Sequence, residues 1–335
     1  MYDYITEDYN LKFKENDLKL YAAPLSETEN QLCLNAITMV RDALKIIGMT
    51  DDNVPIKKQY ENTNSYSVSM RNVTTGKSVK IFLQGSYANN TNVRNESDVD
   101  IAIVEEDTFR TEYRTTGTYK QSHDNYGFSV AESTPQTFKD EIQQCLVLSF
   151  GKDVERKNKS IKVHGNFYRK DADTVPCRRY RDYRNDYAND SENYIGGIVI
   201  YPDDGGEIVN YPEQHIHNGV TKNNNTKFYY KKMVRIIKKI RYLMQDCGVQ
   251  SSQIVSSFGL ESLLWNIPDE IFKKYSIYRY LFSEVVDYLF ENKDKLALFK
   301  EANGIKPLCP STIDVDNYTK FIDDLHAFYE YDITE

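Results

Sequence analysis

With 335 residues, 40% of them hydrophobic and 27% charged, the chain has ordinary globular composition and room for two packed units or one large domain with a helical lobe. A formal net charge of −8 and a pI near 5.4 speak against sequence-independent coating of nucleic acid, which needs a basic footprint. The five cysteines (Cys33, Cys145, Cys177, Cys247, Cys309) form no CxxC pair, which argues against a zinc ribbon or a disulfide framework and fits a reducing compartment.

The opening stretch, MYDYITEDYNLKFKEN, lacks the basic and apolar regions of a secretory signal. No stretch approaches the ~18 apolar residues of a membrane span. A cytoplasmic protein without membrane attachment is expected. Ser26-Glu27-Thr28-Glu29 is a capping box, and Leu32, Ala36, Val40, Ala43, Leu44 and Ile47 then recur at helical spacing up to Gly48. That pattern predicts an amphipathic scaffold helix packed behind a sheet. Residues 57–78 are polar and strand-like from Tyr66 to Met70, closed by Thr75-Gly76.

Residues 80–104, KIFLQGSYANNTNVRNESDVDIAIV, organise the chain. Ile81, Phe82 and Leu83 read as a buried strand, and Gln84-Gly85-Ser86 breaks it. A polar spacer follows, with Asn89, Asn90, Asn92, Asn95 and Ser97 favouring turns and caps. Asp98 to Val104 is a second strand, apolar except for two carboxylates. Period 2 sets Asp98 and Asp100 on one face, where their charges repel unless a cation lies between them. Mg²⁺ fits, because it prefers oxygen ligands and is shared between carboxylates and substrate phosphates. Gly85 allows close backbone approach, and Ser86 offers a hydroxyl and an N–H to a phosphate. The order of apolar strand, Gly-Ser, spacer and Asp-apolar-Asp-apolar resembles the signature of the polymerase-β-like nucleotidyltransferases.

Residues 105–132, rich in Thr and Tyr, read as a surface excursion. Thr134-Pro135 starts a helix with Phe138, Ile142, Leu146 and Phe150 on one side, ending at Gly151. Ser160–Val163 and Asp171–Pro176 read as strands by pattern. A two-metal site needs a third carboxylate, and Asp173 is the candidate, with Asp171 on the same strand face as its rival. Residues 177–222 carry Arg178, Arg179, Arg181 and Arg184 in a long irregular piece, reading either as phosphate contacts or as a solvated face paired with Asp182 and Asp186. His215 and His217 have no companion ligands and read as structural. Asn225 or Thr226 caps a long helix with Tyr229, Met233, Ile236, Ile237 and Ile240 inward. Lys227, Lys231, Lys232, Arg235, Lys238, Lys239 and Arg241 fill the rest, mostly as helix-surface charges. Helices are expected over 253–265, 269–275, within 277–300 and from Asp314 to Tyr331.

The pieces GSYANNTNVRNESDVDI, RKNKSIKV with DADTVPC, YYKKMVRIIKKIR and SSFGLESLLWNIP together resemble the bacterial cGAS/DncV-like (CD-NTase) family of cyclic-oligonucleotide synthases, relatives of animal cyclic GMP–AMP synthase and oligoadenylate synthase. The resemblance spans roughly 27–330. It implies an α+β fold: a polymerase-β-like nucleotidyltransferase core, a mixed sheet with helices, plus an α-helical C-terminal lobe. The expected domains are 1–222, the catalytic core with its scaffold helix, and 223–335, the helical lobe.

By the same resemblance, Gly85 and Ser86 hold the donor triphosphate, while Asp98, Asp100 and Asp173 are catalytic and bind two Mg²⁺, with Mn²⁺ as a substitute. Lys238 and Ser257 contact the triphosphate tail, Ser256 being the rival of Ser257, and Phe258 stacks on a base or serves as a core aromatic. The implied substrates are ribonucleoside triphosphates, ATP and at least one of UTP, GTP or CTP, joined into a cyclic messenger of anti-phage defence. A downstream effector senses it, and an activating protein or RNA is a further partner. Double-stranded DNA as activator is disfavoured, because no His/Cys insert is present and the net charge is negative. Two other readings share part of the pattern: a tRNA or small-molecule nucleotidyltransferase, and a catalytically silent nucleotide- or RNA-binding scaffold.

Overall fold

The computed structural model describes residues 13–93, 98–131 and 134–330; Asn95 and Ser97 of the spacer, Tyr331, and most of the opening stretch lie outside them. In chain order the elements are α1 (Glu15–Tyr21), α2 (Glu27–Leu44), β1 (Lys57–Lys58), β2 (Tyr66–Arg71), β3 (Ser78–Leu83), α3 (Gly85–Ala88), β4 (Val99–Glu112), α4 (Pro135–Phe150), β5 (Val154–Arg156), β6 (Ile161–Val163), β7 (Ala172–Asp182), β8 (Ile195–Ile200) and β9 (Ile208–Asn210). Then come α5 (Pro212–Asn225), α6 (Tyr230–Asp246), α7 (Ser251–Ile254), α8 (Ser257–Trp265), α9 (Tyr278–Glu291) and α10 (Thr312–Glu330). Two compact units result. The described parts of 26–88 and 98–213 form a sheet unit, and those of 1–25, 89–97 and 214–335 form a helical unit. The chain thus changes unit at 213 rather than 222, and both α1 and the described part of the spacer belong with the helices.

In the sheet unit, the described strands run β1-β2-β3-β4-β7-β6-β5, with β8 paired to β7 and β9 to β8. β4 and β7 are parallel, whereas β3–β4 and β6–β7 are antiparallel. The nearly continuous apolar run of β4 has a physical reason. Ile101, Ala102, Ile103 and Val104 are all fully buried, so both faces of this central strand are covered and alternation is lost. Ala102 and Val104 join Phe82, Val175, Cys177, Ile198 and Ile200 in one apolar cluster. α2 and α4 pack on each other; α2 also meets β3 and β4, and α4 meets β7. α2 starts as expected: Glu29 N–H donates to Ser26 Oγ at 3.3 Å, and Ser26 N–H donates to Glu29 Oε2 at 3.0 Å.

Two stretches before α6 depart from the sequence reading. Residues 105–112 are strand, not excursion: β4 runs on to Glu112 beside Arg179–Asp182, after a register shift between Glu105 and Phe109. Residues 177–225 are mostly regular, supplying the end of β7, then β8, β9 and α5. The arginines there form neither one solvated face nor an open cationic patch. Arg178 is buried against Glu105 at 2.8 Å, and Arg179 is buried against Glu213 at 2.7 Å and Glu106 at 3.1 Å. Arg181 stacks over Phe109, and only Arg184 pairs with Asp182 as expected. The carboxylates that neutralise these arginines lie far off in sequence, so local charge pattern could not reveal them.

The helical unit is built around Leu18, Met233, Ile237, Leu263, Phe282, Phe321 and their neighbours. α6 starts at Tyr230 with Tyr229 at its N-cap and no side-chain cap, so neither Asn225 nor Thr226 caps it. Asn225 ends α5, and the left-handed Lys227 and Phe228 set Thr226 outside the helix, although its Oγ accepts the Tyr230 N–H at 3.1 Å. α6 is covered nearly all round, and Lys231, Arg235, Lys238 and Arg241, expected at its surface, are buried. The segment 253–265 is two helices rather than one. Ser256 takes extended backbone and accepts the Gly259 N–H at 2.9 Å, which ends α7 and caps α8. Among the described residues no helix is long and apolar enough to cross a membrane.

Candidate active site

In the sheet unit the site begins where β3 ends. Gln84 N–H donates to the Asp100 carbonyl at 3.0 Å, which ties the turn to the neighbouring strand. Gly85 then takes φ +68°, and a Cβ built there would overlap Asp100 Oδ2 and lie 3.2 Å from its Cγ. Only glycine fits: the backbone is left-handed, and the space is filled by a carboxylate. Half-buried Ser86 follows.

The parallel register of β4 and β7 sets Asp100 opposite Asp173, with Asp98 two residues earlier on the same face as Asp100. Asp171 lies one repeat further along and is engaged otherwise: its carboxylate accepts from Gly165 N–H at 2.5 Å and pairs with Lys162 at 2.9 Å. Electrostatics separates these groups. Burial, reinforced by Asp173 and Asp98, pushes the Asp100 carboxyl up to about 7. Asp173 is also raised, by burial and then by Asp98, although the Ser160 hydroxyl donates to it at 3.3 Å. Burial alone would raise Asp171 too, but Lys162 and the Gly165 N–H outweigh it and hold it below the usual carboxylate range.

Sequence reasoning missed Lys162. Its ammonium bridges Asp98 at 2.7 Å and Asp171, and these bonds raise its own pKa. A signal was available: in Ser160-Ile161-Lys162-Val163 the apolar residues alternate with Ser160 and Lys162, and Lys162 lies opposite Asp173 in the β6–β7 register. With Asp98 turned to Lys162 and Asp173 to Ser160, the acidic groups are not closed into a ready-made cage. Among the described residues no three His, Cys, Asp or Glu side chains are gathered to hold a metal.

The other expected residues belong to the helical unit. Lys238 is buried and donates to Thr91 O at 3.1 Å, Thr91 Oγ at 3.4 Å and Glu261 Oε2 at 3.2 Å, so all three of its N–H donors have partners within the fold. Ser256 serves as the α8 cap, whereas Ser257 is the first helical residue and half-buried. Phe258 is 37% exposed, which removes the reading as a core aromatic; its ring lies T-shaped to that of His215, with centroids 4.9 Å apart. His215 is structural as expected, buried and 2.8 Å from Glu261.

Comparison with known proteins agrees with this architecture. Residues 71–191 match the nucleotidyltransferase domain model, and residues 217–330 match the cGAS/DncV-like nucleotidyltransferase C-terminal helical domain. The chain is 47% identical over 320 residues to the cyclic GMP–AMP synthase CdnE03 of Staphylococcus schleiferi, covering 95% of this chain and 97% of that protein. It is 33% identical over 298 residues to the cyclic dipyrimidine nucleotide synthase CdnE of Cecembia lonarensis, covering 89% and 90%. Among solved structures, the CdnE cyclic dinucleotide synthase of Elizabethkingia meningoseptica, with GTP and Apcpp, matches with a TM-score of 0.71 at 31% identity over 96% of this chain and 100% of that one. The fold is that of a polymerase-β-like nucleotidyltransferase, a mixed sheet with helices followed by a helical domain. The chain is therefore a nucleotidyltransferase and belongs to the cGAS/DncV-like family.

Proposed function

We propose that this enzyme joins ribonucleoside triphosphates, ATP with at least one other, into a cyclic di- or trinucleotide and releases pyrophosphate. The observation that carries the proposal is the register of β4 and β7, which brings Asp98, Asp100 and Asp173 onto one face beside the Gly85-Ser86 turn. The relatives named above as cyclic dinucleotide synthases support the cyclic product. Because those relatives are named for different bases, the bases used here are left to experiment.

The donor set fits a hard divalent ion. It is all oxygen, and Asp173 and Asp98 add to the burial that raises Asp100. Asp98, Asp100 and Asp173 would hold two Mg²⁺, with Mn²⁺ as a substitute; such ions lower the pKa of an attacking hydroxyl and offset the charge of the leaving pyrophosphate. Gly85 lets the backbone approach the donor's phosphates, and Ser86 donates to them. Ser257 contacts the triphosphate tail and Phe258 stacks on a base. Lys238, paired with Glu261 and Thr91, contributes its charge from within the fold. The cyclic product would act in bacterial anti-phage defence, read by an effector; the family resemblance is the support for this.

The test is incubation with all four ribonucleoside triphosphates and Mg²⁺ or Mn²⁺, then phosphatase digestion and mass analysis. A phosphatase-resistant cyclic species, absent with Asp98→Asn and Asp100→Asn, is expected and identifies the bases. Linear products, or transfer to added tRNA, would overturn the proposal.

A further inference from the structure

The helical unit contains a buried polar cluster centred on Glu261, a residue of α8 that is 1% exposed. One carboxylate oxygen accepts from the Thr91 hydroxyl at 2.7 Å and from Lys238 at 3.2 Å. The other lies 2.8 Å from His215 Nε2. The Glu261 carbonyl accepts from Tyr230 Oη at 3.0 Å, which fixes its helix against α6. Burial alone would raise this carboxyl, yet Lys238, His215 and the Thr91 hydroxyl hold it well below its ordinary range. A carboxylate this buried is stable only with such partners, and removing one leaves the others unsatisfied.

The partners lead to two parts of the proposed chemistry. Thr91 lies in the spacer between Ser86 and Asp98, and the same spacer is gripped by Lys238 on the Thr91 carbonyl and by Arg235 on the Asn90 carbonyl. His215 meets Asn89 of the same spacer at 3.2 Å and carries the contact onward to the exposed ring of Phe258. A single carboxylate therefore touches the described part of the spacer, at Thr91, and through His215 the aromatic assigned to a base.

We propose that Glu261 is a positioning residue for nucleotidyl transfer, acting through Thr91 on the spacer and through His215 on Phe258. This rests on the function proposed above. Glu261 itself touches neither metal nor phosphate in this role. The design is economical: an acidic residue in an apolar helix segment, surrounded by cations and hydroxyls, holds loop and platform in one geometry.

Substituting Glu261 risks misfolding, so the test uses its partners. Thr91→Val keeps shape and removes the hydroxyl, Thr91→Ser restores it, and His215→Ala removes the ring packed against Phe258. The readouts are kcat and KM for pyrophosphate release, and amide hydrogen exchange at residues 89–93 in the nucleotide-free protein. Loss of a charge-assisted hydrogen bond predicts a roughly ten- to hundredfold fall in kcat/KM for Thr91→Val. Exchange at 89–93 is expected to quicken by a similar factor, and Thr91→Ser should recover both. His215→Ala should raise KM several-fold while leaving exchange at 90–93 unchanged; residue 89 is left out of this comparison because Asn89 Nδ2 lies 3.2 Å from His215 Nδ1. A purely structural role would lower the active fraction, and so kcat, without moving KM. Wild-type kcat/KM and exchange in Thr91→Val would overturn the inference. A wild-type protein that turns over no triphosphate would instead refute the proposed function, and the exchange rates would still decide whether the cluster holds the spacer.

Discussion

Gly85→Ala tests whether close approach to Asp100, rather than turn geometry alone, makes glycine necessary. Gly127 provides the control, since it has the same φ of +68° but nothing within 4 Å of a built Cβ. Placing alanine in left-handed backbone costs about 1–2 kcal/mol at either position. For a unit of this size that corresponds to a fall in Tm of roughly 2–8 °C. At Gly85 the methyl group also occupies the space of Asp100 Oδ2, so the carboxylate must swing away from Asp98 and Asp173. A displacement of about 1 Å at a reacting centre can cost ~100-fold in rate. The expected pattern is similar melting for the two variants, pyrophosphate release within about twofold of wild type for Gly127→Ala, and a loss of ~100-fold or more for Gly85→Ala. If both variants retain comparable activity, the steric argument at Asp100 is wrong.

Lys231 is 4% exposed, and burial pulls its ammonium down to about 8, against the opposing pull of Glu261. Lys231→Met should therefore gain about 1–3 kcal/mol in urea unfolding at pH 7, because the fold no longer holds a desolvated charge. Since the folded pKa is depressed, wild-type stability should also rise between pH 8 and about 10.4, a rise the Met variant lacks; no gain at pH 7 would refute this. Asp203 is held down at about 2 by hydrogen bonds from Arg156 and then Lys139. Its contribution is present above pH ~4 and lost as pH falls through 2. Because the pair is solvent-screened, Asp203→Asn should cost no more than about 1 kcal/mol at pH 7, and less than half of that at pH 2. Ser26→Ala should cost about 1 kcal/mol by removing the α2 cap, read as a lower Tm with unchanged turnover.

Local features were legible wherever the physics is local. The capping box at Ser26, the close approach at Gly85, the shared face of Asp98 and Asp100, and the apolar run of β4 follow from hydrogen-bond spacing, the missing Cβ, strand period and a central strand covered on both sides. The motif order was enough to suggest the family that the comparisons then showed. What tertiary structure alone decided concerns charges with distant partners. Asp173 rather than Asp171 faces Asp100 because strand register, not period, selects between two residues on one face. Lys162 sits among carboxylates contributed by other strands. Arg178, Arg179 and Lys238 are buried because Glu105, Glu213 and Glu261 meet them across the fold, whereas composition treats every such side chain as surface. A charge carries no mark of its partner in the sequence, and burial becomes affordable only when folding brings the opposite charge within reach.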